Sequence, residues 1–309
     1  GLNLTSGGYN TFIGGYAGCG VTECNHHIMI GKYAGALNGA GIGNIFMGKD
    51  AGHGSGTATD NDGSYNVALG YEAGEALTDG DNNILIGQHA GNALTTGCGA
   101  IAIGYNALYS EDTNANGSIA IGYEALKVQN TVTLGNIAIG NYAGTAVTTG
   151  GENTFLGYNA GKGVTGSSNV SIGTLTLTAS TSGTTNTVVG HDAARNNTGS
   201  QNTIIGAAAG DAAGDGTGNT FIGKSSGGAV TNGDNNTFLG KYSGDAVTTG
   251  CCNVAIGLGA DVASATGNNQ LAIGIDSNNW ITGDSSYNIT VNTICASNFN
   301  STSDIRLKT

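Results

Sequence analysis

Short apolar runs recur along the whole of this sequence, and each ends in an aliphatic residue followed by glycine. The glycines are Gly14, Gly31, Gly48, Gly70, Gly87, Gly104, Gly122, Gly140, Gly157, Gly173, Gly190, Gly206, Gly223, Gly240, Gly257 and Gly274. All steps between them are 16 to 18 residues except one of 22, between Gly48 and Gly70. A period this short and this regular predicts a stacked β-coil, in which no copy can bury its apolar side alone. With the glycine as position 0, position −1 is aliphatic in all sixteen copies, Met47 included, and position −3 is Thr, Ile, Val or Leu. Strand alternation puts −3 and −1 on one face and −2 on the other. A column that never admits a polar group predicts that −1 faces the dry interior.

Position −2 is also mostly apolar, with phenylalanine, leucine, valine, isoleucine or alanine in most copies. A strand apolar on both faces is covered on both. A thin coil has only one interior, so the second face predicts another chain. The contacts are expected at Phe12, Phe46, Phe155, Phe221 and Phe238. Position −4 is asparagine in twelve copies: Asn10, Asn44, Asn66, Asn83, Asn136, Asn153, Asn169, Asn186, Asn202, Asn219, Asn236 and Asn253. Stacked amides can bond donor to acceptor along a coil axis, so this column reads as a buried ladder. Position +3 is Ala in twelve copies and +4 is Gly in ten. That pair predicts a tight corner followed by a short second strand with Ala inward.

The fold class that follows is all-β: a parallel β-roll or β-solenoid of about 16 coils with a period of about 17 residues, assembled as a homotrimer. The repeat shaft is placed at 1–278, C-terminal capping strands at 279–300 and a distinct junction at 301–309.

Composition narrows the function. Glycine is 57 of 309 residues and proline is absent, which suits neither a helical bundle nor collagen. The net charge of −12 leaves no basic stripe for nucleic acid, and an anionic surface keeps a long rod soluble. No stretch approaches the 18 apolar residues of a membrane helix, so no membrane insertion is expected. The sequence starts at Gly1 without Met or signal peptide and is expected to be a fragment. Six cysteines at irregular spacing make no disulfide framework, although Cys19 and Cys24 could bridge one loop.

The run Asn-x-(Val/Ala/Phe)-Ile-Gly-x-x-Ala resembles the head repeat of trimeric autotransporter adhesins. That resemblance implies a left-handed parallel β-roll, with three rolls packed about one axis. At the other end, Ser301-Thr302-Ser303-Asp304-Ile305-Arg306-Leu307-Lys308 resembles the opening of the endosialidase-type intramolecular chaperone of phage tail fibres and tailspikes. The second resemblance implies self-cleavage beside the serine, with Ser303 as nucleophile and Lys308 as its base. Together they imply a virion tail fibre; a bacterial adhesin head on the cell surface and a depolymerising tailspike are the alternatives.

Other chemistry is sparse. Cys19, Cys24, His26 and His27 offer metal-type ligands without the paired spacing of a zinc site, and His27 fills a ladder position. Asp60-Asn61-Asp62-Gly63, Asp79-Gly80-Asp81-Asn82 and Asp234-Asn235-Asn236 are fragments of calcium loops that turn chemistry explains equally well. No metal or cofactor is expected, calcium being the one weighed. Acids scattered over loops show no carboxylate pair of the kind a glycosidase needs, so no enzyme is expected in the shaft. The expected partners are the chain itself, other virion tail proteins and a host cell-surface glycan or protein. Contact with the host is placed on the long loop between Gly48 and Gly70, at His53, Asp60, Asp62 and Tyr65.

Overall fold

A computed structural model describes residues 4–23, 25–56, 61–110, 116–129, 135–212 and 214–292. The sequence repeat appears as a column of three-residue strands, one per coil, from β1 (Thr11–Ile13) through β15 (Val254–Ile256) to the longer β16 (Leu271–Ile275). Each strand pairs in parallel with the next and in the same register, so that Phe12 lies beside Met29 and Phe221 beside Phe238. Sixteen stacked strands make about 15 turns of solenoid, and the strand spacing of roughly 4.8 Å gives a stack about 72 Å long. Among the described residues there is no helix.

The segment after each glycine is a chain of turns rather than a second strand. Position +2 has positive φ in nearly every coil, as at Tyr16 (62°), Tyr33 (60°) and Tyr142 (59°), and Gly at +4 repeats it. The turns still pair from coil to coil, with the Gly18 and Gly35 amides donating to the carbonyls of Ala34 and Ala51 at 2.9 Å. The glycine at position 0 is required by its neighbour: a Cβ on Gly31 would lie 2.3 Å from the carbonyl oxygen of Gly48. No rotamer relieves that clash, because both atoms belong to backbone.

Strand alternation holds, but its sense is the reverse of the sequence expectation. Every −2 side chain except Phe12 is buried inside the coil of its own chain, with Phe46, Phe155, Phe221 and Phe238 among the largest. Phe12 is partly buried and packs on the same core. The −2 phenylalanines are therefore core residues, not contacts to a second chain. The −1 and −3 columns point outward. None of their members is buried, and Ile13, Met47, Ile139, Leu156 and Leu239 are 37–57% exposed. The reason is width. The interior holds one strand column, the small +3 residues, and a third column with Val21, Leu77, Leu94, Val147, Val164, Val230 and Val247. Two aliphatic columns from one strand do not fit there.

Interior volume is shared between −2 and +4. All five phenylalanines at −2 face a Gly at +4, and a Cβ on Gly161 or Gly244 would lie 2.2 or 2.3 Å from the rings of Phe155 and Phe238. Where −2 is Ala102, Ala120 or Ser171, position +4 is a fully buried Leu108, Leu126 or Leu177. The two arrangements fill the same space to the density a protein interior demands.

The stack closes at its C-terminal end with two antiparallel strands. β17 (Asn278–Gly283) turns back along β16 and β18 (Ile289–Val291) pairs with β17. Capping thus begins at Asn278, beside the expected boundary at 279, and residues 293–309 lie outside the described residues.

Candidate functional site

The asparagine column is a continuous network. In each regular coil the Asn Oδ1 accepts the backbone N–H of the next Asn at 2.8–3.0 Å, as from Asn83 to Asn66, Asn186 to Asn169 and Asn219 to Asn202. The same amide's Nδ2 donates at 2.7–3.0 Å to a glycine carbonyl at the far end of its own coil, as from Asn66 to Gly80 and Asn153 to Gly166. One side chain therefore joins coil to coil and closes its own coil. Eleven of the twelve asparagines are buried, and Asn10 in the first coil is half-buried. An amide is suited to this place because it carries a donor and an acceptor on one planar group.

Two substitutes show the chemistry. His27 is fully buried; its Nδ1 accepts the Asn44 N–H at 3.1 Å and its Nε2 donates to the Gly41 carbonyl at 2.8 Å. The neutral ring thus copies both halves of the amide, and desolvation holds its pKa below the ordinary value. At the end of the column the Gln270 N–H bonds to Asn253, but its side chain folds back on Ser264 at 2.9 and 3.0 Å. The ladder stops there.

A second ladder runs at position −6 and went unread in the sequence. The N–H of one coil's −6 residue donates to the −6 side chain of the next: Gly8 to Asn25, Ser64 to Asp81, Asp81 to Cys98, Thr217 to Asp234, Asp234 to Cys251 and Cys251 to Asn268. The column holds Asn, Asp, Ser, Thr and Cys in most copies, a signal visible once the coils are aligned. It gives Asp81, Asp234, Cys98 and Cys251 a common role. Asp79 accepts from the Asp62 N–H and Asp62 from the Ala40 N–H, so the calcium-loop fragments cap backbone amides. Among the described residues no group of three or more His, Cys, Asp or Glu is placed to hold a metal ion. His26 stacks on Tyr9, and the Cys19 thiol donates to the Ala36 carbonyl at 3.3 Å.

Among the described residues of the long loop, the candidates His53, Asp62 and Tyr65 have separate surroundings. His53 is half-buried, with Nδ1 2.8 Å from the Gly54 carbonyl and its ring edge-on to Tyr33. Asp62 is committed to the backbone, and Tyr65 is exposed. The loop base is closed by buried Asn61, which bonds Ser55 in both directions. Asp60, Cys24, Cys295, Ser303 and Lys308 lie outside the described residues.

Two surface features appear only in three dimensions. Near the C-terminal end a depression of about 480 Å³ is lined by Tyr242, Asp245, Asp261, Asp276 and Asn279. Desolvation first, then a hydrogen bond shared with Asp245, pushes the Asp261 carboxyl up to about 6. The other feature is an aromatic row beside the outward face, formed by positions +1 and +2. Tyr71, His89, Tyr105, Tyr123, Tyr142 and Tyr158 come from six successive coils, each ring meeting the next at centroid distances of 5.1–6.4 Å.

Among the described residues no helix is long and apolar enough to cross a membrane. Comparison with known protein families, with curated proteins and with solved structures finds no match to this chain.

Proposed function

We propose that this chain is the shaft of a trimeric viral tail fibre, a structural and host-recognition protein of the virion. The observation that carries the proposal is the outward face, aliphatic at every −1 and Thr, Ile, Val or Leu at −3. Two columns, −1 and −3, run the length of the stack, and no member is buried by its own chain. Monomeric soluble proteins rarely expose a contiguous apolar strip of this extent. A second copy of the chain has the same coil-to-coil spacing and can cover the strip coil by coil in register. The interface is thus assigned to −1 and −3 rather than to the phenylalanines, and three copies agree with the resemblance of the repeat to trimeric adhesin heads. The resemblance of Ser303 to Lys308 to a chaperone junction supports a virion over a cell surface.

The test is mass in solution by light scattering. A trimer is expected, and Ile139→Asp with Leu156→Asp should give a folded monomer, because each carboxylate would be buried unpaired in the interface. A wild-type chain that stays a monodisperse monomer overturns the assembly. In the full-length protein, Ser303→Ala should leave an uncleaved chain that still trimerises, as read by mass spectrometry.

A further inference from the structure

We infer that the aromatic row from Tyr71 to Tyr158 is a binding surface for an extended, uncharged glycan chain. The inference deepens the host-recognition part of the proposal above and rests on it.

Six successive coils carry one aromatic ring each at +1 or +2, and in each the other of these two positions is an amide or a carboxylate. The pairs are Tyr71–Glu72, Gln88–His89, Tyr105–Asn106, Tyr123–Glu124, Asn141–Tyr142 and Tyr158–Asn159. Strand spacing sets the rings about 4.8 Å apart along the stack, so the row is roughly 24 Å long. A linear ligand with a repeat of similar size, such as a polysaccharide, can meet it unit by unit. The sugar ring has an apolar C–H face and hydroxyl edges; the row offers aromatic surface beside planar hydrogen-bonding groups in the same alternation.

The rings are not consumed by one another. Tyr105 and Tyr123 stack at 20°, but Tyr71–His89, Tyr123–Tyr142 and Tyr142–Tyr158 cross at 64–90°, which leaves part of each ring uncovered. Tyr71, Tyr105, Tyr123 and Tyr158 keep 38–50% of their surface exposed. Two amides add an independent mark. Asn106 and Asn159 are 8% and 9% exposed, and their Oδ1 atoms have no hydrogen-bond partner. A buried carbonyl without a donor is costly, and a ligand hydroxyl that the side chain swings out to meet relieves it.

The surroundings choose the ligand's charge. Glu72, Glu75 and Glu124 flank the row, and the chain carries −12 overall. Lys49 lies over Tyr71 and Lys162 over Tyr142, while Lys127 is paired with Glu124 at 2.8 Å. The three lysines balance the three carboxylates, so in a chain of net charge −12 the row offers no excess positive charge to hold a polyanion. This polar mixture sets the row apart from the −1 and −3 columns assigned to copies of the chain.

The test uses the full chain and three hexasaccharide probes: β-1,4-linked glucose, β-1,4-linked N-acetylglucosamine and a uronic acid. Tyrosine fluorescence titration and saturation-transfer NMR read binding, and light scattering reads assembly in the same samples. At least one neutral probe should bind at least tenfold more tightly than the uronic probe. Tyr105→Ala with Tyr123→Ala should lose at least tenfold with circular dichroism and mass unchanged, whereas Tyr105→Phe with Tyr123→Phe should keep most of the affinity. Tyr242→Ala, outside the row, should bind as wild type. The inference is overturned if no neutral probe perturbs the tyrosines, if the uronic probe binds best, or if the double alanine variant binds unchanged. Loss of assembly in that variant would also overturn it, by making the row a contact between copies. A trimer that binds no probe defeats the row and leaves the shaft standing; a monomer that binds defeats the shaft and leaves the row.

Discussion

The two coils around Ala100 and Ser118 and the two around Asn219 and Asn236 have the same backbone and opposite interiors. In the later coils each Asn N–H reaches the preceding Oδ1 at 2.8–2.9 Å, Phe221 stacks on Phe238 at 5.2 Å, and +4 is glycine. In the earlier coils Ala100 has no amide to offer, and Ser118 is served by Gln129, whose Nε2 donates to Ser118 Oγ at 2.9 Å and whose Oε1 accepts from Asn136 at 3.0 Å. Ala102 and Ala120 leave room that Leu108 and Leu126 fill. The comparison teaches that the coil is held by backbone pairing and its glycine column. Side-chain columns can then exchange volume and hydrogen bonds between positions and between neighbouring coils, as where Ala68 and Gly74 leave room that Leu85 of the next coil fills.

The largest effect that would break the comparison is in the later coils. Phe221→Ala should cost about 3–5 kcal/mol, since the Gly at +4 cannot fill the cavity; a denaturant midpoint reads the loss. Asn219→Leu should cost about 1–3 kcal/mol by stranding the Asn236 N–H and the Gly233 carbonyl. Hydrogen exchange should show both coils loosening before the distant ones, because solenoid stability is a sum over neighbours. In the earlier coils, Ala102→Phe should cost about 1–3 kcal/mol through overpacking on Leu108, and adding Leu108→Gly should restore most of it. An unrestored double variant would show that the volumes are not coupled. Ala100→Asn sharpens the comparison in the other direction, adding about 1 kcal/mol by giving the ladder a missing rung.

Acid and base should touch the two ends of the rod with opposite sign. The folded pKa of His27 is lowered from 6.5, so below that value the unfolded chain binds more protons than the folded one. Stability near the first three coils is then full above about pH 6.5 and falls as pH drops below it; His27→Asn should remove the dependence. Asp261 is raised from 3.8 to about 6, so the folded chain binds more protons between those values. The end near β16 should therefore lose stability as pH rises from about 4 to 6, and Asp261→Asn should flatten the curve. Site-resolved hydrogen exchange across pH 4–7 separates the two.

Much of this could be read from residues alone. The glycine spacing gave the parallel stack, and asparagine in twelve copies of one column pointed to a ladder. The facing of the strand could not be read in the same way. An aliphatic column is dry whether its own chain or a neighbouring one dries it, and only the width of the coil decides for Phe155 inside and Leu156 outside. The aromatic row was hidden because its rings slip between +1 and +2, as at Tyr123 and Tyr142, so neither column looks aromatic. Asp245 and Asp261 sit in successive coils at different offsets from their glycines, which no fixed spacing reveals.

The C-terminal turn-back carries a consequence for size. Stacked parallel strands at this spacing are also the geometry of fibrils, whose ends recruit fresh chains and whose length follows concentration and time. Here β17 runs against β16, and Gln270 spends its side chain within its own coil. An arriving coil finds neither a parallel edge to copy nor an amide to continue. At this end, therefore, the stack does not grow by recruiting further coils, and its extent follows the number of repeats encoded, at about 4.8 Å each.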